Sequence, residues 1–267
     1  MNCFQNKVAV VTGAGSGIGR NLCIQMAQAG ARLAMSDVNE AGMAETVRRL
    51  PPGTEFKCYR VDVANREQVY GYAESVKRDF GTAHFVFNNA GVTVAGTIVQ
   101  NTIEEIDWQM GINVWGVIYG TKAFLPMLLE QKEGHIINLS SMFGIVSCAG
   151  QGAYNLTKFA VRGWTECLWQ ELEGTGVHAT SVHPGGIKTE FLHSAKLSDN
   201  LTRREKRALK ASDKMLKTPP EDMARVILHG VAHRKKRVIY GNMARTLYLL
   251  QRFFPVSYGK VFTKLMA

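Results

Sequence analysis

Lys7–Gly19 reads KVAVVTGAGSGIG, and this stretch decides the fold. Its first half is a short β-branched and apolar run, which is typical of a buried parallel strand. The run ends in a glycine-rich turn, and a helix-like stretch (18–29) follows. Strand, glycine turn and helix in this order predict a dinucleotide-binding turn, because backbone amides at the helix N-terminus can approach a pyrophosphate. A glycine turn without a ligand is the alternative interpretation. The predicted cofactor contacts are Gly13, Gly15, Ser16, Gly17, Ile18 and Gly19.

Strands and helices alternate along the rest of the chain. This alternation predicts βαβ crossovers and one Rossmann-like, doubly wound parallel sheet with helices on both faces, an α/β fold. No repeat or linker interrupts it, so residues 1–241 are predicted to form a single domain and 242–267 an amphipathic extension of that domain. The later strands are predicted at 32–36, 56–61, 85–88, 135–139, 177–182 and 237–240, and the helices at 40–50, 66–80, 103–131, 154–173 and 219–229.

Composition indicates an ordinary globular core. The chain has 267 residues, of which 46% are hydrophobic and 20% charged, so disorder is not expected. Its net charge of +10 is concentrated late in the chain, in the basic run 203–217 and in HRKKR at 233–237. No zinc finger or aromatic RNA-binding motif accompanies these runs, so nucleic-acid binding is not predicted. A solvated basic face and an anionic surface partner both stay open.

The cysteines and histidines do not form metal-binding patterns. No C-x-x-C pair occurs among the five cysteines, and His229 and His233 form the one H-x-x-x-H pair among the seven histidines, so neither a metal site with three or more ligands nor a disulfide framework is expected. Reduced thiols in the cytoplasm are the simplest interpretation. No uninterrupted apolar stretch of about 18 residues is present, so no membrane span is predicted.

Asp37 ends the second predicted strand, 18 residues after Gly19. An acid at about this spacing accepts hydrogen bonds from the adenosine ribose hydroxyls and repels a 2′-phosphate. No Arg or Lys stands at positions 16, 38 or 39 to neutralise such a phosphate. Asp37 therefore favours NAD(H) over NADP(H), although a strand-end Asp often only caps a turn.

Three side chains carry the predicted chemistry. Tyr154 and Lys158 are spaced i, i+4 in a helical stretch and so share one face. A phenol has a pKa near 10, and a neighbouring ammonium should lower it toward the working range. Ser141 follows the strand at 135–139, at the edge of the sheet where open α/β folds bind ligands.

These motifs together resemble the short-chain dehydrogenase/reductase family, in its single-domain branch. The resemblance extends from residue 7 to about residue 190 and keeps the family's order of motifs. The matching features are the Thr12–Gly19 turn, Asp62-Val63, Asn88-Asn89-Ala90-Gly91, Asn113, Ser141, Tyr154-x-x-x-Lys158 and Pro184-Gly185.

The resemblance implies an oxidoreductase that transfers a hydride between a nicotinamide and a substrate carbon. It makes Tyr154 the general acid/base, Ser141 the residue that orients the substrate oxygen, and Asn113 the holder of a water in a proton relay through Lys158. The adenine would meet Asp62 and Val63. The remaining implied cofactor residues are Asn89, Ala90, Gly91, Pro184, Gly185, Ile187 and Thr189, together with Tyr154 and Lys158.

Apolar residues after the catalytic serine (143–146) and at Val92 and Val94 favour a hydrophobic secondary alcohol or ketone as substrate. A non-catalytic NAD(H)-binding redox regulator is the alternative, but such proteins usually lose the tyrosine or the lysine. A sugar-nucleotide epimerase or dehydratase would need a C-terminal domain for which this chain has no room. Relatives commonly pair through the helices that carry Asn113 and Tyr154, so a homodimer or homotetramer is implied.

The C-terminal extension continues well beyond the last predicted strand. Leu247, Leu250 and Phe254 are predicted to share an apolar face with Met243. This segment could cap the substrate cleft, pack in a dimer, or lie on a membrane as an amphipathic helix. The basic HRKKR just before it makes a peripheral membrane contact one of the open interpretations.

Overall fold

The computed structural model describes residues 2–189, 191, 195–197, 201–202 and 216–260. Most of the predicted basic run 203–217 therefore lies outside the described residues. The strands are β1 Val8–Thr12, β2 Arg32–Asp37, β3 Phe56–Arg60, β4 Phe85–Asn88, β5 Val94–Ala95, β6 Gly134–Leu139, β7 Val177–Pro184, β8 Lys196–Leu197 and β9 Arg237–Tyr240. The helices are α1 Gly17–Gln28, α2 Glu40–Arg48, α3 Arg66–Phe80, α4 Ile103–Met110, α5 Gly116–Glu130, α6 Gly152–Glu171, α7 Pro220–Ala232 and α8 Ala244–Phe253.

Seven parallel strands form the central sheet in the order β3-β2-β1-β4-β6-β7-β9. This arrangement confirms the predicted fold class. The strand order reverses where β1 lies beside β4, so the loops after these two strands diverge and leave a crevice at the carboxyl edge of the sheet. The predicted ligand-binding loops all begin at this edge.

The sheet is buried on both faces, as its apolar strands require. In β1, Ala9 and Val11 pack with α1 and α7 on one face, while Val8 and Val10 pack with α3, α5 and α6 on the other. Alternating side chains point to opposite faces of a strand, which explains why one short run contributes to two hydrophobic clusters. β3 lies at one edge of the sheet and is mostly exposed.

The helix predicted at 103–131 runs from Ile103 to Glu130, but a π-helical turn at Gly111–Trp115 interrupts it. By length and composition it could cross a bilayer, because one window of 18 residues has a mean hydropathy of 1.3. The helix instead packs Phe124 and Leu128 into the core beside β4 and β6. Its apolar character therefore has an explanation within the domain.

A second, two-stranded sheet joins the segment after Thr189 to the loop after β4. β8 runs parallel to β5, and the N–H of Lys196 donates to the carbonyl of Thr93 at 3.1 Å. The Lys196 ammonium lies 3.8 Å from the centroid of the Trp108 ring, on α4. The loop after β4 and the segment after Thr189 are therefore joined by backbone hydrogen bonds.

The C-terminal helix α8 packs on the loop that follows Ser141. Its inward residues Ala244 and Leu247 contact the apolar residues at 142–146. The predicted apolar face is found in part, since Met243 and Leu247 pack in the same cluster and Leu250 is half-buried. Phe254 departs from it, because the helix ends at Phe253 and Phe254 beyond it is 55% exposed. Leu249 and Phe253 lie outward.

The segment 233–237 does not lie beside α8, contrary to what their closeness in sequence suggested. Lys235 and Lys236 precede β9 and accept hydrogen bonds from Thr180 and Ser181 in β7, whereas α8 follows the other end of β9. Four strand residues separate the two ends by about 13 Å, at about 3.3 Å per residue. The HRKKR segment and α8 are therefore at opposite edges of the sheet.

Candidate active site

The glycine turn after β1 packs against the loop after β4 at distances that exclude side chains. Gly13 has φ +66°, and a Cβ on it would lie 2.9 Å from Cα of Ala90. A Cβ on Gly19 would lie 2.1 Å from the carbonyl oxygen of Gly13. The Asn89 amide donates to the carbonyls of Thr12 (2.8 Å) and Gly13 (3.2 Å), which joins the two loops.

The N-terminus of α1 faces the crevice. Ser16 precedes the helix in an extended conformation, and none of the described residues of α1 donates a capping bond to its exposed side chain. The first amides of an α-helix lack intrahelical acceptors and attract anions. A Cβ on Gly17 would lie 3.2 Å from Cγ2 of Thr189, so Thr189 lies over this turn, as the resemblance implied.

Asp37 lies at the carboxyl end of β2, where it meets the same turn. Its Oδ2 accepts from the N–H of Gly15 at 2.8 Å, and its Oδ1 accepts from the N–H of Asn39 at 2.9 Å. The carboxylate is therefore held in place beside the turn, with hydrogen-bonding capacity left on both oxygens.

Two arginines, Arg20 and Arg60, lie near Asp37 in the fold, although neither occupies position 16, 38 or 39. The Arg20 guanidinium donates to the carbonyls of Gly15 and Gly42. Arg60 stands beside Asp37 in the neighbouring strand β3 and pairs with Glu40 at 3.4 Å. Burial lowers the pKa of Arg20, with Arg49 acting in the same direction. Fold-dependent neighbours of this kind carry no signal in linear sequence.

The two residues predicted to contact the adenine, Asp62 and Val63, differ in exposure. Asp62 is exposed, and its Oδ1 accepts from the N–H of Ala64 at 2.9 Å. The Val63 side chain is buried in the core against α5, where a Cβ on Gly116 would lie 2.9 Å from Val63 Cγ2. Only the backbone of Val63 is thus open to a ligand.

Tyr154, Lys158 and Ser141 meet at the carboxyl edge of β6. The Lys158 ammonium lies 5.6 Å from the centroid of the Tyr154 ring and donates to the carbonyl of Leu139 at 2.8 Å. The Ser141 hydroxyl acts on the Tyr154 phenol, where it opposes the rise in the pKa of Tyr154. Its oxygen also accepts from the N–H of Phe143 at 3.1 Å. The three residues predicted from separate motifs are therefore brought together.

The pKa of Tyr154 differs from the prediction made from the sequence, which was a lowered value. Burial raises the pKa of Tyr154 to about 12, although the hydrogen bond with Ser141 acts to lower it. Burial also lowers the pKa of Lys158 to about 8. The pKa of Tyr154 is therefore shifted upward and not downward as predicted, because removal of the phenolate from water outweighs the effect of Ser141, and Lys158 is not among the groups that shift this pKa.

Asn113 lies in the π-helical turn and is fully buried. Its Nδ2 donates to the carbonyl of Val92 (2.9 Å) and to Oγ1 of Thr157 (3.1 Å), and its Oδ1 accepts from the N–H of Val92 (2.8 Å). Both amide hydrogens are thus in use. A Cβ on Gly91 would lie 3.3 Å from Asn113 Oδ1 and 3.5 Å from Lys158 Nζ, so Gly91 separates the two side chains.

Two buried residues outside the predicted set of site residues, Asn155 and His183, hold the loop of Ser141. The Asn155 Nδ2 donates to the carbonyls of Phe143 (2.8 Å) and Val146 (2.9 Å). The His183 Nδ1 lies 2.9 Å from the carbonyl oxygen of Ser141, so it carries the proton, while Nε2 accepts from Ser181. Burial lowers the pKa of His183 to about 4, which keeps its ring neutral. Their adjacency to Tyr154 and Pro184 was the only sequence signal.

Aromatic rings stand on two sides of Tyr154. Its ring centroid lies 6.2 Å from that of Phe143 and 5.7 Å from that of Phe191. The first pair is edge-to-face, which is a favourable aromatic arrangement. The phenol therefore opens onto an apolar surface formed by the loops after β6 and β7.

The Pro184–Thr189 segment closes the crevice on the β7 side. The N–H of Gly185 donates to the carbonyl of Tyr240 at 2.8 Å, and Gly186 bridges to Asn242. The Ile187 side chain is buried in the same cluster as α1 and α7. Among the described residues, no group of three or more His, Cys, Asp or Glu side chains could hold a metal ion.

Comparison with known proteins identifies relatives over nearly the whole chain. A family model described as short chain dehydrogenase matches residues 7–200. The Mycobacterium tuberculosis protein named "Putative oxidoreductase SadH" is 42% identical over 265 residues, which cover 98% of this chain and 95% of that protein. An uncharacterized oxidoreductase of Staphylococcus aureus (strain N315) is 31% identical, covering 88% of this chain and 95% of its own.

Solved structures of short-chain dehydrogenases and oxidoreductases superpose on this chain. A short-chain dehydrogenase/reductase from Burkholderia phymatum in complex with NAD superposes with a TM-score of 0.88 at 31% identity, covering 96% of this chain and 97% of that one. A metagenomic short-chain oxidoreductase in complex with NADP has a TM-score of 0.70 at 25% identity, covering 85% of this chain and 90% of its own.

Proposed function

The chain belongs to the short-chain dehydrogenase/reductase family of oxidoreductases, and we propose that it interconverts a hydrophobic secondary alcohol and the corresponding ketone with NAD(H). The observation that carries this proposal is the meeting of Tyr154, Ser141 and Lys158 at the carboxyl edge of the sheet. The dinucleotide-binding turn predicted at Gly13–Gly19 lies at the same edge. All the parts needed for a hydride transfer with proton transfer are therefore close together.

The residues of the crevice fit a dinucleotide. The turn at Gly13 and Gly19 has no space for side chains, so backbone amides rather than side chains face the opening. Asp37 is positioned by Gly15 to bind ribose hydroxyls, and Thr189 lies over the turn to contact the pyrophosphate or the carboxamide. When bound, the nicotinamide supplies or accepts the hydride.

In the proposed mechanism the protein orients the substrate oxygen and moves its proton. Ser141 donates a hydrogen bond to that oxygen. Tyr154 takes the hydroxyl proton during oxidation and gives a proton to the carbonyl oxygen during reduction. Lys158 would bind the nicotinamide ribose. Because its lowered pKa of about 8 still leaves it mostly protonated at pH 7, it also adds a positive charge beside Tyr154. Asn113, held rigidly by Val92 and Thr157, would position the relay water.

The walls around Tyr154 favour an apolar substrate. Phe143 and Phe191 flank the phenol, and Val146 is buried beneath the same loop. An apolar pocket with a few convergent polar groups suits a hydrophobic ligand with one oxygen to orient.

NAD(H) is proposed on the position of Asp37. A carboxylate beside the adenosine ribose accepts from its two hydroxyls and repels a 2′-phosphate. Arg20 and Arg60 stand nearby, but Arg20 is bonded to two backbone carbonyls and Arg60 is paired with Glu40. The guanidinium of each arginine therefore already has partners within the chain. We infer that the negative charge of Asp37 determines the choice between NAD(H) and NADP(H).

We propose a homodimer or homotetramer that forms through α5 and α6. Val114, Ile118 and Trp164 line an apolar groove between these two helices on the outer face of the domain. Trp115 is 48% exposed and Phe159 38% exposed on the same helices. The proposed location is the cytoplasm, where free thiols such as those of Cys3, Cys58 and Cys167 stay reduced.

The test is nicotinamide turnover by the purified protein, with NAD and NADP offered against a panel of hydrophobic secondary alcohols. Tyr154→Phe should lower kcat by at least about a hundredfold, the low end for loss of a general acid/base, with the NADH dissociation constant nearly unchanged. Tyr70→Phe, on the outer side of α3, is the matched control and should keep full activity. Undiminished turnover by Tyr154→Phe would refute the mechanism. NADH binding without turnover of any alcohol or ketone would favour the redox-regulator alternative.

A further inference from the structure

The C-terminal helix α8 has two different faces. Its inward face is held to the domain, since Ala244 and Leu247 are buried against the loop after Ser141. The Tyr258 hydroxyl, beyond the helix, accepts from the N–H of Ser147 at 2.8 Å. The opposite face is open to solvent, although it is also apolar. The helix is thus anchored on one side and exposed on the other.

The exposed apolar residues form a continuous strip at the end of the chain. On the helix, Leu249 is 49% exposed and Phe253 is 69% exposed, and the two residues are spaced i, i+4 on one face. Directly after it, Phe254 is 55% exposed and Val256 is 95% exposed. Large apolar residues clustered on a surface mark an interaction site more often than singly scattered ones do.

The charged side chains within the described segment 243–260 are all positive. Arg245, Arg252 and Lys260 are exposed beside it. The sequence has no Asp or Glu after Asp222, while nine Lys and Arg residues follow that position. Arg252 is one residue from Phe253, so a long cationic side chain accompanies the most exposed ring of the helix. Its aliphatic stem can lie along an apolar surface while the charge stays in water.

We propose that the outward face of α8, defined by Leu249, Phe253, Phe254 and Val256 with their flanking arginines, docks on an anionic lipid bilayer. A helix with aromatic and leucine residues on one side and arginines at its border lies in the interface of such a membrane. Each Lys or Arg near the surface adds to the attraction of anionic headgroups. The site depends on Arg245 and Arg252 and not on the HRKKR segment, which lies at the other edge of the sheet.

A second copy of the chain is a poorer occupant of the same face. A two-fold symmetric contact would bring the strip of one copy against the same strip of the other. Arg245, Arg252 and Lys260 would then face their own equivalents, with no Asp or Glu of the segment after Asp222 to compensate them. An anionic surface supplies the missing negative charge, so charge complementarity favours the bilayer.

Vesicle flotation of the full-length chain tests the apolar part of this proposal. The chain should float with vesicles of phosphatidylglycerol and phosphatidylcholine, and much less with phosphatidylcholine alone. Leu249→Ser/Phe253→Ser should weaken partitioning at least about tenfold, because two apolar side chains no longer enter the interface. The matched control Ile98→Ser/Val99→Ser removes two exposed apolar residues elsewhere and should float like the unmodified chain.

A second pair of variants tests the charge. Arg245→Gln/Arg252→Gln should weaken partitioning by about fivefold for each arginine, and added salt should reduce the difference. The control Arg66→Gln/Lys77→Gln removes the same charge from α3 and should have a small effect. Absence of flotation, or equal flotation of the α8 variants and their controls, would overturn the proposal. A dimer that dissociates only in Leu249→Ser/Phe253→Ser, measured by light scattering without vesicles, would assign the face to a second copy instead.

Discussion

The two sides of the crevice are built in different ways. On the cofactor side, Gly13 and Gly19 bring backbone against backbone, and the contact is possible only because side chains are missing. On the substrate side, the loop after Ser141 is held by the side chains of Asn155 and Tyr258. The backbone contact at Gly13 and Gly19 does not tolerate any side chain larger than hydrogen. A side chain that holds a loop can be replaced by another with a local adjustment of the structure. The cofactor side should therefore tolerate substitutions less well than the substrate side.

Gly13→Ala should break the cofactor side and is the largest effect expected. Its new Cβ would lie 2.9 Å from Cα of Ala90 at a φ of +66°, which an L-residue rarely adopts. We expect the NADH dissociation constant, measured by fluorescence titration, to rise at least about a hundredfold, since two loops must separate at about 3 kcal/mol or more of strain and lost contacts.

Gly71→Ala is the matched control for this substitution. A Cβ on Gly71 meets nothing within 4 Å, and the residue lies inside α3. The change should raise the free energy of unfolding by about 0.5–1 kcal/mol and leave NADH binding unchanged. Normal NADH binding by Gly13→Ala would show that the turn adjusts freely, and the contrast between the two sides would fail.

The pH dependence of turnover tests the role of Tyr154, which lies between the cofactor side and the substrate side of the crevice. Burial raises the pKa of Tyr154 to about 12, so the neutral phenol predominates at pH 7. Alcohol oxidation needs the phenolate, so its kcat/KM should rise about tenfold per pH unit until the pKa of the working complex is reached. Ketone reduction needs the neutral phenol and should stay nearly constant over the same range. A flat oxidation profile from pH 6 to 9 would mean that another group takes the proton.

The cofactor side was accessible from sequence because its constraints are local. Strand, glycine turn and helix occupy consecutive residues, and Tyr154 and Lys158 lie one helical turn apart. The parallel sheet also follows from the alternating pattern, since strands joined by helical crossovers pair in parallel, whereas the order of the strands was not predicted. The predicted ends of the helices differ from the observed ones by a few residues, as at α6, which begins at Gly152 and ends at Glu171.

The rest depends on contacts between distant segments. The π-helical turn around Asn113 has no pattern that distinguishes it from an α-helix. Arg60 reaches Asp37 only because β3 pairs with β2, and His183 reaches Ser141 only because β7 pairs with β6. The pKa of Tyr154 could not be foreseen for the same reason, because the burial that raises it is a property of the fold.

Asp37→Ser sharpens the comparison within the cofactor side. Removing the carboxylate removes its repulsion of a 2′-phosphate, while Arg20 and Arg60 stay nearby. We expect the ratio of kcat/KM for NAD to that for NADP to fall at least about tenfold, which corresponds to about 1.4 kcal/mol. Asp107→Ser makes the same change in charge at an exposed position of α4 and should leave the ratio unchanged. An unchanged ratio in Asp37→Ser would mean that other groups select the cofactor.

Tyr258→Phe should have the smallest effect and belongs to the substrate side. It removes the hydrogen bond that the phenol accepts from the N–H of Ser147, while the ring stays packed on the cluster around Met142 and Leu247. Because the bond is partly exposed, the free energy of unfolding in urea should fall by only about 0.5–1 kcal/mol. The KM for the alcohol should rise a few-fold with the NADH dissociation constant unchanged, since α8 touches the loop after Ser141 and not the glycine turn. Tyr70→Phe serves as the control for loss of a hydroxyl. A parallel weakening of NADH binding in Tyr258→Phe would show that the two sides of the crevice are mechanically coupled, because a change confined to the side-chain-held loop would then have moved the backbone-held one.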